Sequence, residues 1–290
     1  MKEELKKEIK KEKKKLSKMS FGQKIEYIFD YYKFPIIGVI ISVALIVSVV
    51  NTWLNNKPLA FYAMFLNGTG SGAMTASEDM EREFADFAGI DDGAHNVVID
   101  TTASFNPNVN SQFSMAENAK IAALFASHDL DAMVIDPGVF TYYALSKAFA
   151  DLRTVLPEEE FREYEAEGKL YYIDAETQRK MAELDAGDIA ESDYEKEVAA
   201  MGSSETDETL GEMEQLAAEI MGEPDVIARE DFVMPDPDKR EDPIPVGIVV
   251  DDFDKINSSG YFGETVPVFG IPAVSDRKDE ALRFLDYLKG

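Results

Sequence analysis

The side chains of this chain that could do chemistry are carboxylates, tyrosines and small polar residues placed at the ends of apolar runs. Asn67 follows Leu59–Leu66, Thr101 and Thr102 follow Asn96–Asp100, and Asp136 closes Asp131–Asp136, with Tyr142 and Tyr143 shortly after it. Open α/β sheets bind ligands beyond the carboxyl ends of their strands, so Asn67, Thr101 and Asp136 are expected to converge on one rim. Pro137-Gly138 would hold Asp136 in a turn, leaving its carboxylate free to accept from hydroxyls or an ammonium group. Tyr142 or Tyr143 would add a flat apolar face. The competing reading is that both tyrosines pack their own helix.

Other motifs point to less. Gly68-Thr-Gly-Ser-Gly72 sits between a strand and a helix, but Ala73 stands where a dinucleotide loop needs its third glycine, and no G-K-[ST] occurs. It reads as a flexible connection. Asp251, Asp252, Asp254 and Asn257 lack the glycine and terminal glutamate of a calcium loop, so a turn is expected there. His95 and His128 read as loop residues, and with no cysteine and two histidines no metal site is expected. No G-x-S-x-G or H-E-x-x-H is present. The expectation is a protein that is not an enzyme and uses no cofactor.

The elements that must position these groups follow a sharp division of charge. Of 290 residues, residues 1–35 hold 11 Lys against 6 acids, residues 36–50 hold no charge, and residues 51–290 hold 18 basic and 50 acidic side chains. The uncharged run 34–54, FPIIGVIISVALIVSVVNTWL, would form a helix of about 31 Å, the thickness of a bilayer core. Tyr31, Tyr32, Lys33 and Trp53 suit its two interfaces. The positive-inside rule then places residues 1–33 in the cytoplasm as a Lys/Glu-rich arm and residues 55–290 outside. Leu5, Ile9, Leu16 and Met19 trace a short heptad seam in the arm, interrupted by Glu12. A formal net charge of −27 argues against nucleic acid as a partner.

In the outer region, strands are expected at 59–66, 96–100, 131–136, 246–250 and 266–271. Helices are expected at 77–88, 114–127, 139–150 and 279–289. Strand and helix alternate, which favours an α/β sheet of mostly parallel order. Residues 157–242 carry 29 acids and 8 basic residues and read as an acidic, helical block, with helices at 176–200 and 209–221.

Asp131-Ala-Met-Val-Ile-Asp136, the following helix, and Phe149-Ala-Asp-Leu-Arg-Thr-Val-Leu156 resemble segments of ABC-type extracellular solute-binding proteins. So does the late stretch from Phe269-Gly-Ile-Pro through Glu280-Ala-Leu-Arg-Phe-Leu-Asp-Tyr-Leu288. With its Lys-rich start and YYKFPIIG lead into the apolar run, the layout resembles single-pass membrane proteins of Gram-positive bacteria that carry a small ectodomain of this kind. The resemblance implies a periplasmic-binding-protein-like fold of type 2 behind one transmembrane helix. It also implies a cell-membrane location, and an extracellular binding module for a small solute or peptide. Such a module would act through a membrane partner such as a transporter or sensor. The alternative is a ligand-free structural or interaction protein of the cell envelope. A cleft lined by convergent polar and aromatic groups would favour the first, and a cleft filled by the chain's own side chains the second.

Overall fold

The structure is a computed structural model, and it describes residues 37–50, 57–68, 73–106, 111–182 and 226–290, with Lys10 and Ser20 as isolated positions. The chain divides into two units, Met1–Lys57 and Pro58–Gly290. In the first, residues 37–50 are helical and exposed. Fourteen residues rise about 21 Å, less than a hydrocarbon core. Among the described residues no helix is long and apolar enough to cross a membrane. The ends of the expected 34–54 span, residues 34–36 and 51–54, lie outside the described residues, as do most of the cytoplasmic arm and the helix expected at 209–221.

The second unit is α/β. Its elements are β1 (Leu59–Leu66), α1 (Ala73–Ala88), β2 (Asn96–Asp100), α2 (Gln112–Ala126), β3 (Ala132–Ile135), α3 (Pro137–Leu145), α4 (Glu158–Ala166), β4 (Leu170–Asp174), β5 (Pro243–Val249), α5 (Asp254–Ser259), β6 (Val268–Gly270) and α6 (Lys278–Lys289). The strands form one six-stranded sheet in the order β2-β1-β3-β6-β5-β4. β1 pairs in parallel with β2 and β3, while the β3–β6, β6–β5 and β5–β4 pairings are antiparallel. The mostly parallel order expected from the sequence is therefore corrected to a mixed sheet. The β-α-β alternation that makes crossovers holds only as far as β3, and the later strands come back against it.

Both faces of the sheet are covered, which is why β3 is buried at every residue. Phe61 and Phe65 of β1 meet Phe84 of α1 and Phe284 of α6 on one face, with ring centroids 4.6 Å apart for Phe61–Phe84 and 5.0 Å for Phe61–Phe284. Met64 and Leu66 of β1 meet Ile121 of α2 and Val139 and Phe140 of α3 on the other. Alternation along β1 thus feeds two cores. On the second face Phe140 and Phe149 stack at 4.4 Å, lying against Gly247 of β5 and Gly270 of β6. A methyl group on either glycine would stand 2.5 Å or 2.7 Å from the Phe140 ring.

Two further expectations change. The helix expected at 139–150 ends at Leu145, because Lys147 takes a left-handed φ of 60° and residues 148–150 bond to 271–273 instead. The acidic block holds α4 and the edge strand β4, with Tyr164, Leu170, Tyr171 and Ile173 buried. Charge on the outer face of this segment concealed a strand whose other side chains enter the core. The expected turn is present at Asp251–Asp252, and the short helix α5 begins at Asp254.

Candidate functional site

Asn67, Thr101 and Asp136 do gather at the carboxyl ends of β1, β2 and β3, but the fold turns them inward. Asp136 has no exposed surface. It is the N-cap of α3: one carboxylate oxygen accepts from the Gly138 and Val139 amides, each at 3.1 Å, and the other accepts from Asn67 Nδ2 at 2.8 Å. A cap of this kind satisfies amides that a helix start leaves unpaired, and Pro137 at the first turn loses nothing by having no N–H. The Ile227 amide reaches the same carboxylate. Burial pushes the Asp136 carboxyl above its ordinary range, opposed by these donors. No lone pair is left pointing at a solvent-filled rim, which corrects the expectation of a free acceptor.

Asn67 is equally committed. It sits at a φ of 62°, a conformation asparagine tolerates better than most residues. Its amide group donates to the Phe105 carbonyl at 2.8 Å and accepts from the Phe105 amide at 2.8 Å, so it clamps the loop after β2. Thr101 is buried beside the Tyr261 hydroxyl. Tyr143 is buried in a ring cluster with Phe105 at 6.0 Å, Phe125 at 6.2 Å and Tyr142 at 5.2 Å. Tyr142 is half-buried at the edge of that cluster. Of the five expected ligand residues, four are buried parts of the frame and Tyr142 alone keeps a partly open face.

A neighbouring polar group was missed in the sequence. Asp100, the last residue of β2, accepts from Lys120 Nζ of α2 at 2.5 Å and from the Thr102 amide and hydroxyl at 3.0 and 2.8 Å. Burial opposes ionisation of Asp100, yet the Lys120 and Thr102 donors outweigh it and hold its carboxyl below the usual range. The Tyr62 hydroxyl lies 3.4 Å from Asp100. Glu117 Oε2 stands 3.7 Å from Lys120 Nζ and makes no hydrogen bond, and neither does the buried Tyr143 hydroxyl. Two carboxylates face one ammonium here. The sequence signal was the Asp100 that ends NVVID together with a lysine at one turn's spacing from Glu117 on α2.

The other sequence candidates scatter. Asp251 pairs with Arg229 and Asp252 with Lys169, so those aspartates serve as ion-pair partners. Gly68 is described, and residues 69–72 of the glycine-rich connection lie outside the described residues. His128 is exposed with its Nδ1 3.4 Å from Asp276. His95 lines an open depression of about 210 Å³ with Glu78, Glu81, Arg82 and Asp92, at the end of β2 opposite the expected rim. Among the described residues no group of three or more histidine, aspartate or glutamate side chains is arranged to hold a metal ion.

A second buried carboxylate fixes the far edge of β3. Asp131 accepts from Ser275 Oγ at 2.7 Å, Arg277 Nε at 2.9 Å and the Tyr62 amide at 2.9 Å. Arg277 goes on to the Asp129 carbonyl at 2.9 Å, joining the segment before α6 to the strand. Burial raises the Asp131 carboxyl, against the pull of Ser275, Tyr62 and Arg277. Compared with known proteins, the chain matches no family model, no curated protein and no solved structure.

Proposed function

We propose that this chain is a membrane-anchored interaction module of the bacterial cell envelope, with its N-terminal arm in the cytoplasm and its acidic α/β unit outside. One observation carries the reading: the polar groups at the strand ends, Asn67 and Asp136, are spent on the fold, their hydrogen bonds going to each other and to the backbone. A rim filled by the chain's own side chains leaves surfaces, not a cleft, as the working part of the molecule. The anchoring half of the proposal rests on the 21-residue uncharged run 34–54 and on the Lys-rich flank that precedes it. The likeness to type 2 solute-binding proteins enters as a likeness of fold. The described residues form one sheet, and a cleft between lobes needs a second.

The second reading, capture of a small solute or peptide for a transporter or sensor, is favoured by the buried Glu117 Oε2 and Tyr143 hydroxyl, neither of which makes a hydrogen bond. A thermal-shift panel of sugars, amino acids, peptides and amines on the full chain separates the two. A ligand at 100 times its dissociation constant adds about 2.7 kcal/mol of stability. We expect no saturable shift. A saturable shift that Glu117→Gln removes would put the solute-binding reading first. Protease added to intact protoplasts should digest 58–290 and spare the Lys-rich arm, and protection of the large unit would reverse the orientation.

A further inference from the structure

Asn67-Gly68 is the one Asn-Gly pair in the sequence. Such a pair is chemically labile, because glycine puts no side chain in the way of its own amide nitrogen. That nitrogen can attack Cγ of Asn67. The bond from Cγ to Nδ2 then breaks, ammonia leaves with the proton given up by the Gly68 amide, and a cyclic imide remains. Water adds to either imide carbonyl, so the product is aspartate or isoaspartate at position 67. In sum, a water is taken up and an ammonia is released.

We propose that Asn67-Gly68 is a fold-gated modification site: the folded unit keeps the amide intact, and opening of the unit lets it convert to a carboxylate that the fold cannot take back. The gate is the clamp on Asn67. Nδ2 spends both hydrogens, on the Phe105 carbonyl and the Asp136 carboxylate, each at 2.8 Å, and Oδ1 accepts from the Phe105 amide at 2.8 Å. The attack makes Cγ tetrahedral and turns the amide face towards the Gly68 nitrogen, which pulls against all three bonds. Asn67 is buried, and a Cβ on Gly68 would stand 3.3 Å from the Tyr261 carbonyl oxygen, so the peptide that must swing is itself packed. The product fails to refit for a separate reason. Aspartate at position 67 has no donor to offer, and its carboxylate would face the Phe105 carbonyl and the fully buried Asp136 carboxylate. Two carboxylates sharing a buried site cannot both ionise cheaply. Isoaspartate instead lengthens the main chain by a methylene where β1 ends, at a residue held at a φ of 62°. The site therefore separates chains that have stayed folded from chains that have not, whatever surface the molecule uses for its partners.

The test is to age the purified full-length protein at neutral pH, native and in guanidinium chloride, and to follow the peptide spanning Asn67 by mass spectrometry. Conversion should be at least about a hundredfold slower in the native chain, because it proceeds only through the open fraction. Equal rates, or faster conversion in the native chain, would overturn the gate; the Phe105 amide and Asp136 would then be promoting the attack. When the aged, unfolded sample is diluted from denaturant, the refolded fraction should retain Asn67 and the fraction that stays unfolded should be enriched in aspartate and isoaspartate. Equal product content in both fractions would overturn the one-way step. Asn67→Asp reproduces one product directly and should fold with a lowered thermal midpoint or fail to fold. Asn67→Asp/Asp136→Asn sets an amide donor opposite the new carboxylate and should regain part of that loss. An unchanged midpoint in the single variant, or no gain in the double, would overturn the clash of carboxylates as the barrier to refolding.

Discussion

Asp136 shows how one carboxylate can hold three pieces of chain. It caps α3, takes the Asn67 amide from the end of β1, and receives the Ile227 amide from a distant segment. Every one of these partners is a donor. Asp136→Ala leaves them buried and unpaired, so we expect a loss of about 2–4 kcal/mol in denaturant unfolding, from the lost cap and the orphaned donors. Asp136→Asn should also destabilise, because its NH2 group must face one of these donors. The Arg277–Asp131 pair makes a pH-dependent case. Burial places the folded Asp131 carboxyl above its unfolded value, so the folded state binds the proton more tightly, and this group's contribution to stability falls as pH rises through the interval between the two values. Arg277→Ala removes the charge that limits the rise. We expect it to cost about 3–5 kcal/mol near pH 7 and to recover part of that loss at pH 4–5, where Asp131 can take up a proton on folding. Equal losses at both pH values, measured by urea unfolding, would contradict the assignment.

At the scale of elements, the mixed sheet depends on two glycines that face aromatic rings. Gly247 on β5 and Gly270 on β6 leave room for Phe140, which stacks on Phe149. Gly270→Ala would place a methyl 2.7 Å from Phe140 and 2.8 Å from Phe149. Rings stacked in a packed core cannot both yield, so a destabilisation of about 1–3 kcal/mol is expected from overpacking. The companion Gly270→Ala/Phe149→Leu should recover part of it, a test that backbone strain alone would fail, since the φ of Gly270 is an ordinary one. β4 is an edge strand with one neighbour, β5, yet Tyr171 and Ile173 enter the core beside Phe140 and Val246. Segment 158–174 should accordingly resist limited proteolysis as well as 59–66 and 132–145 do. Early cleavage there would show that the acidic segment is not integral to the unit.

For the whole molecule, charge is the dominant fact. A net of −27 on 290 residues makes the folded chain repel itself, and salt should relieve this. We expect the thermal midpoint to rise by several degrees between about 10 mM and 150 mM sodium chloride, where the Debye length falls from about 30 Å to 8 Å. A flat response would mean that the ion pairs, such as Lys169 with Glu167 and Asp252, already neutralise the surface locally. We expect the same charge to weigh against acidic polymers as partners.

Local pattern was enough to locate β1, β2 and α6, because apolar runs and helical periodicity act within a few residues and owe little to the rest of the chain. It also carried the charge division and the placing of Asn67, Thr101 and Asp136 at one end of the sheet. Three things were decided only by tertiary structure. The antiparallel return of β6, β5 and β4 depends on which edges meet, and no residue in those strands encodes its neighbour. β4 stayed hidden because acidic composition averages over a window while burial is set residue by residue. Most of all, Asp136 reads in sequence as a rim acceptor held by the turn at Pro137-Gly138, and only the tertiary structure made it the cap of α3. The choice fell to the cap when folding brought the Asn67 amide and the Ile227 backbone within hydrogen-bonding reach, since a carboxylate removed from water must take whatever donors enclose it.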